Sequence, residues 1–199
     1  MAFAILIRIA DLRIIAGKHR GRRIEAPAGT DVRPTSDRAR EALFNILGHG
    51  RFSPSGASPI ADARVLDAFA GSGALGLEAL SRGAAQLTCM ETSAVARAAL
   101  RANAKTLGET ANVTVMAADA TNPPPASVPC TLLFLDPPYR DGLGGPALAA
   151  LAARGWIAPD ALCTLETAAG ETVELPEEFT LIDERRYGKA RIVFLRYAP

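Results

Sequence analysis

From residue 63 onward, short apolar runs alternate with stretches whose apolar residues recur at helical spacing. ARVLDAFA (63–70), QLTCME (86–91), VTVMAAD (113–119) and TLLFLD (131–136) are nearly continuous in apolar residues, the pattern of strands buried on both faces. Between them, a helix is predicted from about Ala74 to Arg82, closed by Gly83, and a longer one over TSAVARAALRANAKTL (92–107), closed by Gly108. A helix at 145–154 and strands near 161–167, 179–186 and 190–197 follow. The last two, joined around Tyr187 and Gly188, read as an antiparallel hairpin at the end of the sheet. Strands alternating with helices over short loops predict an α/β fold whose parallel sheet is covered on both faces.

The first quarter of the chain reads differently. RIIAGKHRGRRIEAP (13–27) has two β-prone runs around glycines and predicts a hairpin that exposes Lys18, Arg20, Arg22 and Arg23. In SDRAREALFNILG, Ser36 is placed to cap a helix from about Asp37 to Leu47, with Ala39, Leu43, Ile46 and Leu47 on one buried face and Gly48 at its end. The Ser-, Pro- and Gly-rich stretch that follows is a loop. The expected division is a basic N-terminal extension (1–50), a linker (51–62) and the α/β domain (63–199).

Composition sharpens that division. The net charge of the 199 residues is only +1, but residues 1–51 hold 10 Lys and Arg against 5 Asp and Glu, which leaves 12 against 16 for the remainder. A basic arm on a mildly acidic body fits contact with phosphates, and Lys18, Arg20, Arg22, Arg23, Arg33, Arg38 and Arg40 are its candidates. His19 has no evident partner. Arg33 also belongs to RPTS (33–36), which leads into the helix before the catalytic sheet and is a candidate lining of the active-site mouth. Cys89, Cys130 and Cys163 are widely spaced and form no CxxC, so neither a disulfide framework nor a zinc site is encoded, and a reducing cytoplasm is expected. The opening MAFAILIRIA is broken by Arg8 and too short to span a bilayer, so no export signal and no membrane anchor is expected.

Two motifs carry chemistry. VLDAFAGSGALGLEAL places Gly71, Gly73 and Gly76 in GxGxxG spacing after a strand and at the start of a helix, the setting of a nucleotide-type cofactor. Glu91, 20 residues past Gly71, ends the next strand, where a carboxylate can accept from both ribose hydroxyls. Nicotinamide enzymes share both features. Asp67 favours S-adenosylmethionine instead, because a carboxylate there would repel a pyrophosphate and suits a cationic amino-acid group. Asp119 is placed to meet the adenine amine, and Phe69, Ser72 and Ala120 complete the candidate cofactor residues.

The second motif, LDPPY, puts Asp136, Pro137, Pro138 and Tyr139 at a rigid strand exit on the same sheet edge. An exocyclic base amine is a poor nucleophile, since its lone pair is delocalised into the ring. The Asp136 carboxylate and the Pro137 carbonyl, each accepting one N–H, would favour a pyramidal nitrogen aimed at a sulfonium methyl, with Tyr139 stacked on the base. A nicotinamide oxidoreductase and a non-catalytic RNA-binding module are the competing readings; neither uses Asp67 and LDPPY together.

RIIAGKHRGRRI, RPTSDRAREALFNIL, VLDAFAGSGALGLEALSRGA, LDPPY and YGKARIVFL, in this order, resemble the RsmD-type methyltransferases, from about residue 13 to the end. The resemblance implies a Rossmann-like class I methyltransferase fold with seven strands, mostly parallel, the last antiparallel. It implies S-adenosylmethionine as methyl donor with S-adenosylhomocysteine as product, and no metal. It further implies a guanine N2 in 16S ribosomal RNA as target, of the guanine-966 type, presented in an assembled or partly assembled 30S subunit. The family's cofactor residues map onto Asp67, the Gly71–Gly73 loop, Glu91 and Asp119, and its catalytic motif onto Asp136–Tyr139. The leading MAFAILIRIADL is extra relative to the family. A monomer is expected.

Overall fold

The computed structural model describes residues 12–27, 37–52, 56–138 and 141–199. The expected Ser36 cap, Arg33 and Tyr139 lie outside the described residues. Seven strands, β1 (Arg64–Asp67), β2 (Gln86–Met90), β3 (Val113–Met116), β4 (Cys130–Leu135), β5 (Ile157–Ala168), β6 (Phe179–Tyr187) and β7 (Ala190–Tyr197), form one sheet. Their order is β3-β2-β1-β4-β5-β7-β6, with β1 to β5 parallel and β7 antiparallel to both of its neighbours. The expected final hairpin is therefore present, with its second strand inserted between β5 and β6.

Helices α1 (Asp37–Gly48), α2 (Ala74–Ser81), α3 (Ala94–Leu107) and α4 (Gly144–Ala153) cover the sheet. Alternate strand residues feed two layers. Val65, Leu87, Leu132, Phe134, Leu162 and Phe194 pack with Phe44 of α1, Leu77 of α2 and Leu100 of α3. Leu66, Leu133, Leu135, Cys163 and Leu195 pack on the other face with Leu148 and Leu151 of α4. Among the described residues no helix is long and apolar enough to cross a membrane.

The N-terminal segment is built into the first layer, since Leu12, Ile14 and Ile24 belong to the same apolar cluster as Val65 and Phe134. The expected hairpin is present in short form: Arg13 and Arg23 make an antiparallel bridge, and Ile14 N donates to Arg22 O (2.9 Å), Ile24 N to Leu12 O (2.8 Å) and Gly21 N to Ile14 O (2.8 Å) around a tight turn. What fixes this turn is α2. Glu78, fully buried, accepts from the backbone N–H groups of Ile15 (2.7 Å) and Ala16 (3.0 Å) and from Arg82 Nε (2.7 Å). A buried carboxylate is tolerable only when so satisfied. Ser81 adds its hydroxyl to Ala16 O and His19 N, and its carbonyl accepts from Lys18 N.

Lys18, Arg20, Arg22, Arg23 and Arg38 are exposed as expected. Arg40 is not. It is 2% exposed, and its Nη2 donates to Arg13 O at 2.8 Å, so this guanidinium supports the N-terminal segment from beneath and does not reach a phosphate. His19 also departs from expectation: its Nε2 lies 2.5 Å from Glu109 Oε1, and Lys18 Nζ lies 2.7 Å from the same oxygen. These partners, with Asn112, hold the Glu109 carboxyl down at about 2 against the opposing effect of its burial.

The docking of the turn is close at Gly17, which has φ +82°, and a Cβ there would fall 1.8 Å from Ser81 O. Gly21 has φ +80° but faces open space. Gly21→Ala carries only the left-handed backbone cost of about 1–2 kcal/mol, whereas Gly17→Ala also breaks the contact with α2. In urea unfolding, Gly17→Ala is expected to lose at least about 1 kcal/mol more than Gly21→Ala; equal losses would contradict the docking.

Candidate active site

Parallel strands deliver their carboxyl ends to one edge, and β2, β1, β4 and β5 are consecutive neighbours there. Asp67 ends β1, paired with Cys89 on one side and Phe134 on the other. The ladder continues past the strand ends, with Ala68 N donating to Phe134 O (2.9 Å) and Ala70 N to Met90 O (3.0 Å). The glycine loop after β1, Glu91 after β2 and Asp136 after β4 are thereby brought to adjacent positions.

The cleft at this edge is lined by Ala68, Phe69, Met90, Glu91, Thr92, Ala118, Asp119, Ala120, Pro138 and Leu143. Five of the expected site residues, Phe69, Glu91, Asp119, Ala120 and Pro138, share this one lining. Sequence reasoning did not single out Leu143 or Thr92, which are ordinary residues in loops with no motif around them.

Gly73 has φ +81° and caps α2 in the left-handed conformation; a side chain there would press on Leu100 at 2.9 Å. Gly71 has φ +52° and open space among the described residues where a side chain would stand, so its backbone can be approached closely. Gly76 serves packing, since a Cβ would fall 2.5 Å from Leu87 Cδ1 and lift α2 off β2. Ser72 is buried, and its carbonyl accepts from Asn103 Nδ2 at 3.0 Å.

Three carboxylates have distinct settings. Glu91 accepts from Gly71 N (2.9 Å, Oε2) and Ser93 N (2.7 Å, Oε1), which fixes it in the cleft and leaves one acceptor direction on each oxygen. Asp119 Oδ1 accepts from Thr121 N and Thr121 Oγ1, both at 2.8 Å, so this residue caps a turn while also lining the cleft. Asp67 is 1% exposed; its Oδ2 accepts from Gly76 N at 3.0 Å, and its Oδ1 is buried with no hydrogen bond among the described residues.

Burial pushes the Asp67 carboxyl up to about 7, opposed by the Gly76 N–H and reinforced by the nearby Asp136 and Glu91 carboxylates. The three acids share one neighbourhood, since Asp67 is paired with Cys89 and Phe134, which stand two residues before Glu91 and Asp136. An acid this deep, with an unsatisfied oxygen and two negative neighbours, is suited to a cationic ligand group and not to a phosphate. Among the described residues no group of three or more His, Cys, Asp or Glu is arranged to hold a metal ion.

The basic turn is attached close by. Arg22 Nη2 donates to Thr106 O (2.5 Å), and Asn103 exchanges hydrogen bonds with the backbone of Glu25 at 2.9 and 3.0 Å. The last turns of α3 therefore hold both the glycine loop and the base of the cationic surface.

Comparison with known proteins agrees with this geometry. The family described as conserved hypothetical protein 95 matches residues 12–196. Ribosomal RNA small subunit methyltransferase D of Escherichia coli K12 is 41% identical over 157 residues, covering 78% of this chain and 74% of that protein. The Haemophilus influenzae protein of the same name is 36% identical over 182 residues, covering 89% and 90%. Among solved structures, a putative methyltransferase from E. coli matches with a TM-score of 0.77 at 37% identity, covering 94% of this chain and 97% of that one. A putative methylase from H. influenzae matches with a TM-score of 0.75 at 31% identity, covering 94% and 99%. The fold is thus that of a class I methyltransferase, and the chain belongs to the conserved hypothetical protein 95 family, the RsmD-type methyltransferases.

Proposed function

We propose that this protein methylates the exocyclic N2 of a guanine in 16S ribosomal RNA, of the guanine-966 type, within an assembled or partly assembled 30S subunit. S-adenosylmethionine is the donor and S-adenosylhomocysteine the product. The observation that carries this reading is the single cleft in which Phe69, Glu91 and Asp119 meet Pro138 of the Asp136 strand exit. The names of the relatives support ribosomal RNA as the substrate class, and the cationic surface is in keeping with it.

The residues fit the donor. The unsatisfied Asp67 Oδ1 suits its ammonium group, the spare acceptor directions of Glu91 suit its ribose hydroxyls, and the open Gly71 backbone admits close approach. When bound, the donor supplies a sulfonium methyl. Asp136 and the Pro137 carbonyl hold the two N–H bonds of the amine and orient its lone pair towards that methyl, with the rigid Pro-Pro exit keeping both acceptors still. The amine proton released on transfer passes to Asp136 or to water. Tyr139 stacks on the extruded base. Lys18, Arg20, Arg22, Arg23, Arg33 and Arg38 contact phosphates, and the enzyme acts as a monomer on its much larger particle.

Asp136→Ala is expected to lower methyl transfer to 30S particles by about 100-fold or more while S-adenosylhomocysteine affinity changes less than about twofold; undiminished transfer removes the catalytic assignment. At Asp67 the sign follows from its raised value. A cation prefers the ionised acid, and the acid is protonated below about 7, so S-adenosylhomocysteine affinity by calorimetry is expected to fall as pH drops from about 8 to 6. Asp67→Asn flattens that dependence and binds more weakly throughout. For the arm, removing Arg20 or Arg23 reduces the salt slope of 30S binding by about one each, while removing the buried Arg40 lowers the unfolding midpoint instead.

A further inference from the structure

The acids along the carboxyl edge include one that the chemistry above leaves unused. β4 and β5 pair in parallel through Leu135 and Leu165, so Glu166 stands at the level of Asp136, one strand further from β1. Side chains alternate along a strand, and Leu162, four positions before Glu166, lies in the apolar layer beneath α1, α2 and α3. Ile192, paired with Glu166 across β5 and β7, lies in the same layer. Asp67 is paired with Phe134 and Cys89, both also of this layer. Glu166 therefore projects on the same face of the sheet as Asp67, at its carboxyl edge. It is 6% exposed, deep for a carboxylate, and burial of a charge is tolerated where hydrogen-bond donors meet it.

The position has a chemical consequence. β2 and β1 carry the acids assigned to the donor and β4 carries Asp136, so β5 lies on the side away from the donor, where the rest of a base gripped at its amine must extend. Guanine presents an N1–H beside N2. Adenine and cytosine present a bare lone pair at the ring nitrogen beside their amines. A carboxylate accepts from the first and repels the second. We propose that Glu166 accepts the guanine N1–H and is the residue that restricts an amine-methylating site to guanine. The assignment rests on guanine N2 being the target. A carboxylate offers about four acceptor positions, so a protein partner at Glu166 is compatible with this role.

The test uses 30S particles reconstituted with 16S RNA carrying guanine or 2-aminopurine at the methylated position. 2-Aminopurine keeps the N2 amine and replaces N1–H by a lone pair. The wild type is expected to prefer guanine by at least about 100-fold in kcat/KM. Glu166→Gln, whose amide can rotate to donate to that lone pair, is expected to reduce the preference at least about tenfold, with S-adenosylhomocysteine affinity unchanged. The intrinsic reactivity of the two amines cancels in this ratio of preferences. An equal loss on both bases assigns Glu166 to structure and overturns the proposal. Comparable wild-type turnover of the two bases overturns it without any variant. A wild type that methylates adenine or cytosine and no guanine removes the guanine reading itself, and the Glu166 assignment with it.

Discussion

The parallel pairing of β1 with β4 is the constraint on which the rest depends. The two strands are separated in sequence by two helices and two other strands, and their register sets Asp67 against Phe134, two residues before Asp136. A one-residue slip would turn the side chains of one strand to the opposite layer, exchanging Leu66 for Val65 between the two layers and carrying Asp67 away from the face it shares with Phe134. Register is therefore specified by burial on both faces, and the same pairing that buries Leu132 and Phe134 sets the ends of β1 and β4 side by side.

The second dependency runs through α2. This helix begins at the glycine loop, where Gly76 N meets Asp67, and ends at the basic turn, where Glu78 and Ser81 hold residues 15 to 19. Because α2 packs on β2 through Gly76, the glycine loop, the sheet and the cationic surface are referred to one rigid element. The helix is fully buried along most of its length, and that explains an otherwise costly feature: Glu78, a charged residue at 0% exposure, is satisfied by two backbone donors and one guanidinium. The basic turn is thus part of the main core, and side chains of α2 fix its position.

Much of this was legible in the sequence, for reasons that differ by element. β1, β2 and β4 read clearly because strands buried on both faces must be continuously apolar. β5 was read short. Its first residues, Ile157 to Asp160, include Pro159 and look like a turn, yet they join the strand through a shift in register between Cys130 and Leu132, with Asp160 at φ +60°. Arg40 was read as exposed on its charge alone, although it stands four residues before Phe44 and seven before Leu47, on the buried face of α1; the helical period held the signal and the charge masked it. Glu109 could not have been found, because it meets His19 across 90 residues of chain and no local motif marks it. The candidate cleft was legible to the extent that strand ends line it, and Leu143 escaped because a loop residue is placed by tertiary structure only.

The central claim is that a sulfonium donor over β1 and β2 meets a base amine held at the end of β4. The most direct measurement is mass mapping of the labelled methyl after the protein acts on 30S particles from cells that lack it. The account predicts label on the exocyclic N2 of a single guanine. Label on a ring carbon or a ribose hydroxyl, neither of which has an amine for Asp136 and Pro137 to grip, would contradict it.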